Sequence, residues 1–385
     1  MLFLQHLWFN CKNCFIKKDF LWKLSKKASF KNKQIGENMN NFKKIGLTAL
    51  AGSLVVVSAN AIEMSVSGTT SVSYTSKSSA KTSTVGGQAI GVDTGISFTG
   101  SGELDNGFTV KTFAALDDGR ANTLSSSQLT LGMGSLGTVV FAQQFGTAAN
   151  GIDDVTPRVK EESWDQAGGS VLQGFGRATA EGAVTYKSPA IEAAGLAISF
   201  GVDYDPSANK ASDDHDATTD KAYNEGSGTG MVVKIASDLG ITVGAGVEDI
   251  TGNNKHTDKT NITAYALYTM GPVSIGYQEY YLDQGSGTSN TLVSAGGDYT
   301  GNAMGIAFNV NDNLSLSYGE INETLEAASG TLAADRDTTS FTAAYSAGGM
   351  AVTLQQTDTD NWAMNTTAAN ARDTETTQIT LAFAF

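Results

Sequence analysis

Cysteine is nearly absent. The 385 residues hold two, Cys11 and Cys14, both close to the start. A fold stapled by disulfides is therefore excluded for the rest of the chain. Their C-x-x-C spacing has no second cysteine pair to complete a zinc site. Proline is scarce at 4 and histidine at 3. No apolar run approaches the ~20 residues of a spanning helix. Charged residues make up 17%, below the usual ~25%, and Gly, Ser, Thr and Ala fill the gap. Positive charge is in deficit, 25 Lys+Arg against 39 Asp+Glu for a net −14, which disfavours nucleic acid as a partner.

Signatures of catalysis are missing as well. There is no G-x-S-x-G and no H-E-x-x-H. His215 and His256 lie in separate polar stretches among acids and read as solvated loop residues, as does the cluster Asp213-Asp214-His215-Asp216. Gly132-Met133-Gly134-Ser135-Leu136-Gly137 fits G-x-G-x-x-G, but TVVFAQQF follows it. A dinucleotide site needs a helix there, so the motif reads as a hairpin turn. The expectation is a protein without cofactor or metal that is not an enzyme.

What is present begins with a segment of its own composition. Residues 1–61 carry ten lysines against Asp19 and Glu37, a net +8, which leaves −22 for residues 62–385. From Met39, Lys43-Lys44 supply a basic region, Ile45–Val57 an apolar one, and Ala59-Asn60-Ala61 a small-residue cleavage site. These are the three parts of a secretory signal peptide. The reading is therefore 1–38 as an upstream extension, 39–61 as signal peptide, and 62–385 as the mature domain.

The mature chain alternates with period two. Leu196, Ile198, Phe200, Val202 and Tyr204 share one face; Ala197, Ser199, Gly201 and Asp203 share the other. Such alternation means strand. Short and long breaks also alternate, giving seven tight turns and eight long loops between sixteen strands. They are expected at 62–75, 90–104, 107–117, 123–134, 136–145, 181–189, 195–205, 228–238, 239–250, 260–270, 271–283, 302–310, 313–322, 337–347, 349–358 and 375–385. Strands of this length match a tilted bilayer crossing. The fold class is all-β, a transmembrane antiparallel barrel with short periplasmic turns and long extracellular loops. A soluble sandwich fits the strict short/long alternation poorly, and an open edge in lipid would leave backbone groups unsatisfied.

Three segments carry a resemblance. GSLGTVVFAQQFG (134–146) resembles a glycine turn and fifth strand, GIDDVTPRVKEESWD (151–165) an inward-folded third loop, and QITLAFAF ends the chain on Phe385. Together the mature chain resembles the general porins of Gram-negative bacteria, of the alphaproteobacterial, Rhodobacter-like type. Gln143 and Gln144 depart from it, standing near where that family often carries a basic residue. The resemblance implies the outer membrane as location, a homotrimer in contact with outer-membrane lipid, a third loop folded into the lumen, and Phe385 as the signal read by the barrel-assembly machinery.

The break at 146–180 holds Asp153, Asp154, Glu161, Glu162 and Asp165 with Arg158, Lys160 and Arg177, and also Trp164, Val171, Leu172 and Phe175. Apolar residues suit a loop laid against a wall. Sixteen strands otherwise enclose a wide aqueous lumen, so this loop is expected to form the constriction. Charge in a narrow, low-dielectric passage sets selectivity. Parity points Lys111, Lys187 and Lys234 inward, since a cation on the lipid face costs about 2–4 kcal/mol. Arg120 could reach the mouth. The expected function is passive diffusion of small hydrophilic solutes and ions through a water-filled pore, with mild cation preference. A substrate-specific channel would want an inward aromatic row, for which only Tyr280 is a candidate. A non-conducting barrel adhesin would plug its lumen.

Overall fold

In the computed structural model, the chain is described over residues 52–53, 63–79, 87–117, 126–143, 146–160, 175–176, 181–206, 226–252, 258–283, 297–327, 333–362, 364 and 372–385. The chain divides into residues 1–43 and 44–385, and every described residue belongs to the second unit. Among them no helix is long and apolar enough to cross a membrane.

Sixteen antiparallel strands form the wall. They are β1 (Glu63–Ser79), β2 (Gly87–Glu103), β3 (Thr109–Asp117), β4 (Ser126–Gly132), β5 (Thr138–Gln143), β6 (Glu181–Lys187), β7 (Leu196–Asp205) and β8 (Gly228–Ser237). The second half gives β9 (Ile241–Ile250), β10 (Lys259–Met270), β11 (Val273–Asp283), β12 (Gly297–Asn309), β13 (Leu314–Ala327), β14 (Ala333–Ala347), β15 (Met350–Asp360) and β16 (Thr374–Ala384). Each pairs with its sequence neighbour, and β16 closes on β1 from Thr374↔Ser79 to Ala384↔Thr69. Closure leaves no edge, as lipid requires. Two short segments join the sheet: Gly52–Ser53 opposite Ser65–Val66, and Ile191–Ala193 opposite Leu196–Ile198.

That second segment lies within the stretch expected as one tight turn. Ala194 and Gly195 take φ of 52° and 76°, the paired positive values of a two-residue hairpin turn. The strands expected at 302–310, 313–322 and 337–347 are longer, reaching 297, 327 and 333. Their added outward residues include Asp298, Thr324, Glu326 and Asp335. Pairing persists there while the apolar alternation that announces a strand has stopped.

Alternation sorts the side chains. Outward positions carry exposed apolar residues such as Phe200, Val233, Ile275, Ile306, Phe341 and Ile379. Inward positions are mostly Gly, Ser, Thr, Asn and Gln. All Lys and Arg of the sixteen described strands, Lys77, Lys111, Lys187, Lys234, Lys259 and Arg336, fall on inward parity. Outward acids occur toward the long-loop end, among them Asp337, Asp358, Asp360 and Glu375. A carboxylate there costs less than a cation at the bilayer centre.

Candidate functional site, a loop seated on the inner wall

The segment after β5 turns into the barrel. Asp203, inward on β7 and 0% exposed, accepts the amides of Ala148 at 2.8 Å and Ala149 at 2.7 Å and the hydroxyl of Thr185 at 2.7 Å. Lys187 Nζ donates to the Gly146 carbonyl at 2.7 Å. These wall groups fix the start of the loop. On its return, Gly176 donates its amide to Glu248 Oε2 on β9 at 3.2 Å, and Asn261 donates to the same oxygen at 3.0 Å. Glu248 is also 0% exposed. A buried carboxylate must be compensated by hydrogen bonds, and here backbone amides contribute them.

Between these anchors the loop follows the wall around the barrel. Gln278 on β11 accepts the Val155 amide at 2.9 Å and donates to the Ile152 carbonyl at 2.8 Å. The Val159 amide donates to Ser317 Oγ on β13 at 3.1 Å. Lys160 Nζ then reaches β16, donating to Gln378 Oε1 at 3.0 Å and Thr380 Oγ1 at 3.3 Å.

The loop's underside is apolar. Ala148, Ala149, Ile152 and Phe175 cluster with Val232, Tyr265, Tyr280, Leu282, Ala303 and Ile321. Full burial of Ile152 and Phe175 contributes about 1.5–3 kcal/mol each. The wall makes room with glycine. A Cβ at Gly246 would sit 2.7 Å from Ile152 Cδ1 and 2.9 Å from Phe175 Cζ; one at Gly305 would sit 2.6 Å from the Pro157 carbonyl oxygen. Inward glycines thus serve as a seat, a role that alternation alone does not distinguish from an open lumen.

The candidate charges are distributed as follows. Asp153 and Asp154 are adjacent and half-buried. Burial, reinforced by Asp154, pushes the Asp153 carboxyl up to about 7. Asp154 is also raised by burial, against the pull of Arg158. Arg158 Nη2 meets Asp154 Oδ1 at 3.0 Å, so Asp154 pairs within its own loop. Lys160 meets an amide and a hydroxyl on the far wall. Lys111 and Lys234 lie on inward parity, opposite Ser101 and Gly244. Tyr280 is inward but buried under the loop. Gln143 points outward, where its Oε1 accepts from Ser127 at 3.3 Å, so its departure does not touch the lumen wall. Arg120, Glu161, Glu162, Asp165 and Arg177 lie outside the described residues.

The sector beyond the described loop is lined by hydroxyls. Ser65, Ser67, Thr69, Ser71, Ser73 and Thr75 occupy consecutive inward positions on β1. Asp203, Glu248 and Gln278 anchor the loop but are not singled out by alternation or composition. Polar residues at inward parity just above a glycine were the available signal.

A family model described as Gram-negative porin matches residues 46–313. No curated protein matches the sequence. Among solved structures, OmpF of Salmonella typhi in complex with daunomycin aligns with a TM-score of 0.60 at 15% identity, covering 86% of this chain and 99% of that one. The anion-selective porin from Comamonas acidovorans gives 0.58 at 15% identity, covering 84% and 100%. OmpT of Vibrio cholerae gives 0.57 at 12%, covering 86% and 100%.

Proposed function

This chain belongs to the Gram-negative porin family, and from that premise we propose that the wall-seated loop is the constriction of a passive, mildly cation-preferring diffusion pore. Its location is the outer membrane, and its barrel admits small hydrophilic solutes and ions. The observation that carries the constriction is the loop's path, anchored at Asp203 and Glu248 and reaching β16 through Lys160. Such a path narrows the lumen without closing it. The inward hydroxyls of β1 leave the other side polar, with the Asp93 carboxylate of β2 facing Ser71 and Lys111 of β3 beyond it.

The mild cation preference rests on the mature chain's −22 and on carboxylates concentrated in the loop. The described part alone is nearly balanced. Asp154 is paired with Arg158, Asp153 is partly protonated near neutrality, and Lys160 adds a positive charge. The preference therefore depends on Glu161, Glu162 and Asp165, together with inward wall carboxylates such as Asp93, outweighing Arg177 and the wall lysines. Reversal potentials under a salt gradient test it, comparing wild type with Asp153→Asn/Asp154→Asn/Glu161→Gln/Glu162→Gln. The fourfold variant should lose cation preference. Unchanged selectivity would remove the loop as selectivity filter, and well-folded protein without channels would remove the pore.

We further infer a homotrimer, a state in which OmpT of Vibrio cholerae was solved, and assembly by the barrel-insertion machinery acting on Phe385. Cleavage after Ala61 completes the reading. Mass spectrometry of outer-membrane protein should find Ile62 at the N-terminus, and Cys11 in the mature chain would sink it.

A further inference from the structure

Hydrogen-bond donors without acceptors collect at one place, the long-loop ends of β14, β15, β16 and β1. Among the described residues, Arg336 Nη2, Trp362 Nε1, Thr374 Oγ1 and Ser79 Oγ are buried atoms with no hydrogen-bond partner. Arg336 is 7% exposed and Thr374 is 4% exposed. Buried polar groups are normally satisfied, and leaving one unmade costs its full desolvation. Four such groups in one neighbourhood require an explanation.

They are neighbours by contact and by register. Trp362 follows the end of β15. Arg336 Nη1 donates to its carbonyl at 3.4 Å, and Lys77 Nζ stands 5.2 Å from its ring centroid. Thr374 and Ser79 face each other across the β16–β1 seam, and Lys77 is one inward position below Ser79, opposite Thr376. Arg336 Nε is held by Glu323 Oε2 at 2.6 Å, which fixes the guanidinium and, with Nη1 on the Trp362 carbonyl, leaves Nη2 as its one nitrogen without a partner. The outward acids of these strands, Asp335, Asp337, Asp358 and Asp360, lie on the opposite face by alternation.

We propose that Lys77, Arg336, Trp362, Thr374 and Ser79 form an oxyanion site in the pore mouth that takes the carboxylate of small organic anions. Arg336 Nη2 and Trp362 Nε1 can only donate, and the two hydroxyls can donate as well, so a complement rich in acceptors satisfies all four. Planar guanidinium and indole N–H groups suit a carboxylate's two oxygens. Lys77 and Arg336 against Glu323 leave one net positive charge, matching a monoanion rather than a dianion. The site would give carboxylate-bearing solutes a foothold in a channel whose overall charge repels them. It rests on the porin reading only for the use made of that binding.

Binding is measured apart from conduction. The probe is sodium acetate, titrated into detergent-purified barrel at pH 7 with sodium chloride at equal ionic strength as the reference. The readout is the indole emission lost in Trp362→Phe. The expected result is a saturable change with acetate and only a shallow drift with chloride. Lys77→Met and Thr374→Val, which leave the Arg336–Glu323 pair intact, should each raise the half-saturating acetate concentration roughly five- to tenfold. Folding of each variant is checked by heat-modifiable migration. Acetate behaving as chloride, or both folded variants binding as wild type, overturns the site. Tighter binding of inorganic phosphate than of acetate overturns the assignment to carboxylates. Absent channels with intact acetate binding would instead overturn the porin reading alone.

Discussion

Asp203 on β7 accepts the amide of Ala149 at 2.7 Å from a fully buried position. It also holds Ala148 and Thr185, so one carboxylate secures the point where the loop leaves the wall. Replacing it by alanine leaves two loop amides and a hydroxyl without that acceptor. Asp203→Ala should destabilise the seated loop by about 3 kcal/mol, given ~1.5–3 kcal/mol for a hydrogen bond to a charged group. Planar-bilayer recordings should show larger and noisier single-channel currents. Steady wild-type currents would mean that the loop is held elsewhere.

Gly246→Val tests the seat. Its Cβ would meet both Ile152 and Phe175, and overpacking of this kind costs about 1–3 kcal/mol. The barrel, paired along β8–β9–β10, should still close. The loop should be displaced, raising the size limit for neutral sugars in liposome swelling. An unchanged size limit in folded protein would contradict the packing described.

The pH dependence has a definite sign. Asp153 is raised from 3.8 to about 7 in the folded protein. The folded loop therefore retains a proton that the unfolded chain releases. Stabilisation from the neutral form is complete below about pH 4 and is lost as pH rises toward 7. Ionisation adds a negative charge to the passage, so cation preference should increase between pH 5.5 and 8.5. Asp153→Asn should hold its selectivity near the wild-type low-pH value across that range. Reversal potentials at the two pH values decide it.

Phe385 closes the barrel as well as ending the chain. Its amide donates to the Gly68 carbonyl at 2.9 Å and its carbonyl accepts from the Gly68 amide at 2.8 Å. The ring covers Gly68, where any Cβ would strike it. Deleting Phe385 should lower the yield of assembled barrel in cells. Refolding in detergent separates the two roles. Normal refolding of the truncated chain with poor cellular assembly would favour recognition by the insertion machinery, whereas poor refolding would favour the closing pair.

The sequence by itself determined the barrel. Period-two alternation, turn residues at regular intervals and the parity of six cations are local properties, and lipid on one side with water on the other enforces them at every strand. That is why sixteen strands and the inward placement of Lys111, Lys187 and Lys234 were legible. The extensions of β12–β14 were not, because outward Asp298, Glu326 and Asp335 erase the apolar alternation while backbone pairing continues. Tertiary structure alone decided what the loop does inside the barrel. Asp203 and Ala149 are 54 residues apart, Lys160 and Gln378 are 218 apart, and no local pattern encodes which inward residue meets a loop laid along the wall. Composition placed five carboxylates in the loop beside Arg158, Lys160 and Arg177 without saying which of them pair. Packing half-buried Asp153, paired Asp154 with Arg158, and turned inward glycines into a seat, because a loop that must hide Ile152 and Phe175 carries its neighbouring charges down with them.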